Sequence, residues 1–274
     1  MASATSFSTN LKRAGSVRIR TMTGYSKITH SDDYVEYCRE TARHVRTLHD
    51  LALRGRNKQE ITRQIHQRIV EAVGLQSGDD LVDIGCGDGT LLGMAERIGT
   101  RSAVGLLATD EEVAVLRRSG FNVKQGFTDQ LPICDESASV VVCNNVLLVV
   151  PREKIPASLR EIYRIAKPNA RILLGEIPFV QNQASEPRFE TRSETLSYLY
   201  RTYGLRTWFG MLRRMVYWTI AGKPPVILDG TGISFYAAPE EFIGMADVAG
   251  LQLVRYWRHE DPNTRNNYLL RKAS

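Results

Sequence analysis

Between residues 80 and 176, short apolar runs alternate with helical stretches, and that alternation leaves few folds open. Residues 81–84, 103–107, 121–124, 140–144 and 171–176 read as strands, separated by helical patterns at 91–98, 110–118 and 154–166. Strand–helix–strand repeats close into a parallel sheet with helices on both faces. The strands are continuous apolar runs, as required when both faces are covered. The longest of these runs, 140–150, is broken by Asn144 and Asn145. It falls well short of the ~20 residues a helix needs to cross a bilayer.

The two ends depart from this pattern. Ser31 is placed to cap a helix with Asp32 and Asp33 in its first turn, and Tyr34, Cys38, Ala42, Val45, Leu48 and Leu51 then share one side until Gly55. Asn57 and Glu60 stand at capping-box spacing before Ile61, Ile65 and Ile69, with Gly74 as the stop. Residues 31–75 are thus expected to form a helical cap. At the other end, Pro239 opens a short helix that stops at Gly250. Two strand-like runs, 251–259 and 267–272, follow with a link of only a few residues. A parallel crossover needs about a dozen residues, so this pair is antiparallel and the last strand runs against the others. The expected organisation is an arm at 1–30 and one domain at 31–274, with a helical insertion at 179–238.

The 274 residues, 43% of them hydrophobic, suffice for one large core. Net charge is +6, yet Lys12, Arg13, Arg18, Arg20 and Lys27 lie in an acid-free arm, so the rest is nearly neutral. Nucleic acid is therefore not an expected partner. The Ser/Thr/Arg-rich arm reads as a flexible tail, with an organellar presequence or a flap over substrate as the alternatives. Cys38, Cys86, Cys134 and Cys143 lack metal-ligand or redox spacing, so no metal is expected and the composition suits a reducing, cytoplasmic setting.

The chemistry concentrates at residues 81–90, Leu-Val-Asp-Ile-Gly-Cys-Gly-Asp-Gly-Thr. Glycine at every second position permits a tight turn and close approach of backbone to a ligand, and the following helix offers free N–H groups. Asp83, ending the strand, sets negative charge beneath this loop, which repels pyrophosphate and attracts an amine or sulfonium. No Lys-Ser/Thr pair for a P-loop is present, and the spacing is not that of dinucleotide folds.

Residues 81–89 resemble the first motif of class I S-adenosylmethionine-dependent methyltransferases. The likeness continues through Val104-Gly105-Leu106, Gln130-Leu131-Pro132, residues 140–151 and the stretch Arg160 to Pro168, together about 79–178. It implies a Rossmann-like, doubly wound, mostly parallel seven-stranded sheet with a reversed last strand, and S-adenosyl-L-methionine as cofactor. It implies cofactor contacts at Asp83, Gly85, Cys86, Gly87 and Gly89, at Leu107 ending the second strand, at Phe127 and Thr128 beside the adenine, and at Asn144. Three positions depart from the family pattern. Leu107 stands where an acid usually grips the ribose, with Asp110 three residues on inside a Thr109/Glu112 capping box. Phe127 replaces an acid facing the adenine amine and offers stacking instead. Asn169-Ala170 replaces a glycine pair, and Asn tolerates the left-handed geometry such a turn needs.

Ligands in open α/β sheets lie at the carboxyl ends of the strands, which puts Asn144, Asn145 and Glu176 at the rim. Asn144 and Asn145 read either as ligand contacts or as caps of the strand-to-helix turn. Glu176 is a candidate base, with a salt bridge to an arginine of the lid as the competing role. His30, before the first helix, is the second candidate base. His44, His49 and His66 read as surface or packing residues, and His259 as a base or a turn residue. The insertion between 195 and 228 has no acid, but carries Arg201, Arg206, Arg213, Arg214 and Lys223 interleaved with seven aromatics. It reads as a packed amphipathic lid, as a site for an anionic, partly apolar acceptor, or as a peripheral membrane contact through 195–223. The expected activity is O-methylation of a small-molecule, sugar or lipid-linked acceptor; the competing class is a non-catalytic or weakly cofactor-binding module.

Overall fold

The buried, β-branched run Val140–Val142 sits on the middle strand of a seven-stranded sheet in the order β3-β2-β1-β4-β5-β7-β6. The structure, a computed structural model, describes residues 59–178, 235–258 and 265–272, with single positions between 35 and 51 and between 197 and 213. In chain order the elements are α1 (Gln59–Val73), β1 (Asp80–Ile84), α2 (Thr90–Ile98), β2 (Ser102–Leu107), α3 (Asp110–Arg118), β3 (Val123–Gln125) and β4 (Ala138–Asn144). Two 3-10 turns then lead to α4 (Ile155–Ile165), β5 (Ala166–Pro178), α5 (Pro239–Val248), β6 (Leu251–Arg258) and β7 (Arg265–Lys272). The expected Rossmann-like alternation is present. Strands β1 to β5 pair in parallel, and β7 runs antiparallel to both β5 and β6.

Strand β5 begins at Ala166, earlier than its apolar run implies, because Asn169 turns the chain through φ 63° and the register with β4 slips there. The asparagine thus does the work of the missing glycine pair. Helices α4 and α5 cover one face of the sheet, over Val82, Val141, Leu174 and Tyr268. Helices α1, α2 and α3, with Ala42 and Leu51 of the cap region, cover the other, over Leu81, Val140, Val142 and Leu173. Within the expected first helix, Cys38, Arg39, Ala42 and Arg43 are helical, and Arg43 Nη2 meets Glu111 of α3 at 3.0 Å. The arm and most of the insertion lie outside the described residues. Among the described residues no helix is long and apolar enough to cross a membrane.

At the amino ends of the strands the buried acids are paired. Asp79 accepts from Arg171 and, at 2.9 Å, from Ser139 Oγ. Asp80 accepts from Arg101 Nε at 2.9 Å, from Ser102 Oγ at 2.9 Å and from Lys167. Its hydrogen bond to Arg101, then those to Lys167 and Ser102, hold the Asp80 carboxyl well below its usual range despite burial. A carboxyl lowered in this way stabilises the fold above its unfolded value of about 4, and the contribution fades as pH falls below that. Asp80→Asn should therefore lose about 2 kcal/mol at pH 7 and show a shallower loss of stability between pH 4 and 2 than wild type, as read from urea midpoints.

Candidate cofactor and acceptor site

Asp83 is the last residue but one of β1, opposite Gly105 of β2 and Val142 of β4. The chain then turns through Gly85, Gly87 and Gly89, at φ 75°, 53° and 77°. All three lie in left-handed geometry that other residues enter only with strain. The space beside two of them is taken by protein: a Cβ on Gly85 would stand 2.3 Å from Val146 Cγ2, and one on Gly89 2.9 Å from Phe121 Cε2. Glycine at 85 and 89 is thus needed for the turn and for packing, rather than only to clear room for a ligand. Gly85 and Cys86 N–H groups both donate to Leu106 O, tying the loop to the end of β2.

Asp83 is 4% exposed, and its Oδ2 is buried with no hydrogen-bond partner among the described residues. Burial first, and the nearby Asp88 charge second, push its carboxyl up to about 7. Cys86 and Cys143 flank it, and their thiols are raised by burial and by the same charge, so they stay neutral. A carboxylate left without a donor in such surroundings is held at a cost unless a cation arrives. That is the feature of this site that fits a sulfonium or ammonium group.

Asp88, in the same loop, is better satisfied. Its Oδ1 accepts from Thr90 N at 3.0 Å and Thr90 Oγ1 at 2.6 Å, opening α2, while Oδ2 faces His49 Nδ1 at 3.3 Å. His49 therefore brings the cap region onto the glycine loop, a contact that its place in a helical pattern concealed. His66 lies near the same acid, and burial lowers its pKa.

The other expected cofactor positions fall around this loop. Leu107 is 4% exposed and packs in the core beneath α2 and α3, so its side chain offers the ribose no polar group. Thr109 caps α3, accepting from Glu112 N, and its hydroxyl donates to Glu112 Oε2 at 2.8 Å, as the capping box predicted. Phe127 is 46% exposed beside the loop end of β3, whereas Thr128 is buried against Ser158 Oγ at 2.8 Å. Glu161 and Arg164 of α4 position this loop: Glu161 accepts from Leu131 N at 2.8 Å, and Arg164 donates to Leu131 O and Ile133 O. Cys86 is buried under the turn. His30 and most of the basic insertion lie outside the described residues; within the insertion, Arg213 is exposed and Trp208 meets Phe209 edge-on at 5.0 Å.

On the acceptor side, β5 slips register with β7 between Leu174 and Ile177, and Glu176 adopts φ 62°. Such a bulge re-aims a side chain. The Glu176 carboxylate meets Arg265 Nη1 at 3.2 Å, and the same nitrogen donates to Asn145 Oδ1 at 2.6 Å. Asn145 is itself left-handed, at φ 59°. Of the two roles expected for Glu176, the arginine pair is the one formed, and the arginine comes from β7 rather than from the insertion. Asn144 lies over Gly175, where a Cβ would stand 2.1 Å from its Oδ1, and Asn267 Oδ1 accepts from Glu176 N at 3.1 Å. Arg265 and Asn267 had no signal in the sequence beyond their place at the start of a strand.

Residues 82–174 match the methyltransferase-domain family. The chain is 29% identical over 118 residues to a malonyl-[acyl-carrier protein] O-methyltransferase of Serratia marcescens, covering 43% of this chain and 46% of that one. It is 30% identical over 119 residues to a carboxy-S-adenosyl-L-methionine synthase of Pseudoalteromonas translucida, covering 39% and 48%. The chain thus spans about half the length of these curated relatives. Its fold is shared with the magnesium protoporphyrin IX methyltransferase of Synechocystis PCC 6803, solved with bound SAH, at a TM-score of 0.50 and 16% identity over 78% of this chain and 84% of that one. The stretch that matches the methyltransferase-domain family, residues 82–174, runs from β1 into β5 and carries the glycine turn with its buried acid.

Proposed function

We propose that this chain transfers a methyl group from S-adenosylmethionine to an oxygen of a small-molecule, sugar or lipid-linked acceptor. The observation that carries the reading is Asp83, a carboxyl buried without a donor at the end of β1. S-adenosylmethionine supplies an electrophilic methyl group on a sulfonium. The residues of the chain supply the rest. Asp83 and the left-handed turn after it hold a cation, Asp88 braces the turn through Thr90 and His49, and Phe127 offers an aromatic face to a ring. Asn144, Asn145 and Arg265 line the neighbouring crevice for the acceptor, where alignment matters more than any single bond. The oxygen acceptor is also suggested by the O-methyltransferase named among the relatives. The basic, aromatic insertion and His30 are proposed as lid and second candidate base on sequence grounds alone.

A second reading, a cofactor-binding module without transfer activity, draws on Leu107, which leaves the end of β2 without a ribose-gripping acid. Calorimetric titration separates the readings in steps. Wild type should bind S-adenosylmethionine with a micromolar Kd, and transfer of labelled methyl to an acceptor in a cell extract distinguishes enzyme from module. No heat at millimolar cofactor sinks both.

Two outcomes follow for Asp83. The cation must find an ionised partner, so affinity for S-adenosylmethionine should rise as pH increases through about 7 and level off above it. Asp83→Asn should bind at least about tenfold more weakly at pH 8. The same variant should be more stable than wild type. A carboxyl raised on folding stabilises most below its unfolded value near 4 and loses that contribution as pH rises toward 7. Removing the charge should therefore raise the melting temperature at pH 8, by an amount equivalent to no more than about 4 kcal/mol, and leave it nearly unchanged at pH 4.

A further inference from the structure

Arg265 carries more donors than its neighbours use. Its Nη1 serves both Asn145 Oδ1 at 2.6 Å and Glu176 Oε2 at 3.2 Å, while its Nε is buried with no hydrogen-bond partner among the described residues. The guanidinium side chain is 15% exposed. Its contact with Glu176 is long, made through one nitrogen, and shared with a neutral amide, so the positive charge is only partly offset. A desolvated donor on a charged group is expensive to leave unmade. The edge formed by Nε and Nη2 is the one that pairs side-on with the two oxygens of a carboxylate or phosphate. The structure also spends backbone strain to set this up, since Asn145 and Glu176 are both left-handed residues other than glycine and one guanidinium nitrogen joins them. Its one amide partner among the described residues, Asn145, is neutral, and Asn267 Oδ1 accepts from Glu176 N at 3.1 Å, fixing the backbone of the bulge.

We propose that Arg265 reads an oxyanion on the acceptor: the substrate bears a carboxylate or phosphate that seats on the Nε edge, while Asn145 and Glu176 fix the opposite corner of the guanidinium. This rests on the methyltransferase reading only in naming the ligand as acceptor. The cofactor's own carboxylate is the rival occupant. Strand β7 stands three strand spacings from β1, about 14 Å across the sheet. An ammonium held at Asp83 shares one carbon with its carboxylate, which keeps that carboxylate on the β1 side.

The test follows the Nε–H signal of Arg265 by nitrogen-15 NMR in the full chain, assigned by its loss in Arg265→Lys. Acetate, inorganic phosphate and acetamide are titrated in turn with S-adenosylhomocysteine bound throughout. A saturable shift with acetate or phosphate, and none with acetamide, supports the proposal and tells a carboxylate from a phosphate preference. Arg265→Lys, which keeps the charge and loses the fork, should weaken anion binding about tenfold and leave the Kd for S-adenosylhomocysteine unchanged. The proposal is overturned if acetamide moves the signal as much as acetate, or if neither anion saturates. It is equally overturned if S-adenosylhomocysteine alone moves the signal and the anions then do nothing. Where Arg265→Lys fails to fold, through-bond correlation from the Arg265 backbone amide assigns the wild-type signal, and its response decides the matter. Absence of S-adenosylhomocysteine binding in calorimetry counts against the proposed function; normal binding with a silent Arg265 counts against this inference alone.

Discussion

A carboxyl group with one oxygen buried and unpartnered among the described residues, beneath a turn of three left-handed glycines, is the constraint around which the rest of this domain is arranged. Asp83 reaches that position because a parallel strand covered on both faces must end somewhere, and everything polar at its carboxyl end is forced into the crevice there. All five residues of β1 are buried. The strand therefore has no solvated face on which an acid could rest without consequence. Its neighbours deepen the isolation: Gly105 and Val142 flank it in register, and the two nearby cysteines stay protonated.

The same sheet disposes of its other acids in the opposite way. Asp79 and Asp80, four and three residues earlier, are also buried, yet each is met by cations and hydroxyls from β2, β4 and β5. Asp80 is held well below its usual range and Asp83 well above it. Within one strand, then, an acid at the amino end has been given three donors and an acid at the carboxyl end none. Stability alone accounts for the first arrangement. The second is unfavourable by itself, and unfavourable placements that persist in a core mark positions kept for a ligand. The comparison is internal to β1, so it needs no assumption about the rest of the molecule.

Periodicity and turn chemistry carried the reading of the strands, the glycine turn and the reversed last strand, because each depends on residues close together in sequence. The link between 259 and 265 is too short to cross over, and that local fact already sets the direction of β7. The Glu161 and Arg164 pair was legible as part of a motif, though its work, gripping the backbone of Leu131 and Ile133, emerged only with the packing. The acceptor side was different. Glu176 and Arg265 are 89 residues apart, and they meet because β5 bulges and Glu176 turns left-handed. Neither event leaves a trace in a hydrophobic pattern. His49 and Asp88, 39 residues apart, were hidden for the same reason. A histidine at helical spacing looks like any other until the cap is folded onto the loop.

The pairing of Glu176 also bears on what kind of oxygen this crevice suits. A guanidinium nitrogen stands 3.2 Å from Glu176 Oε2, so that oxygen is engaged within the protein. An alcohol acceptor needs its proton removed in or before the transfer step, which calls for a base within hydrogen-bond reach. A carboxylate acceptor arrives already deprotonated and asks only to be aligned behind the methyl group. The contact that engages Glu176 Oε2 uses one nitrogen of Arg265 and leaves its Nε without a partner among the described residues. Both follow from one register slip between Leu174 and Ile177. A chain with β5 and β7 in unbroken register would lack both the left-handed Glu176 and its contact with Arg265.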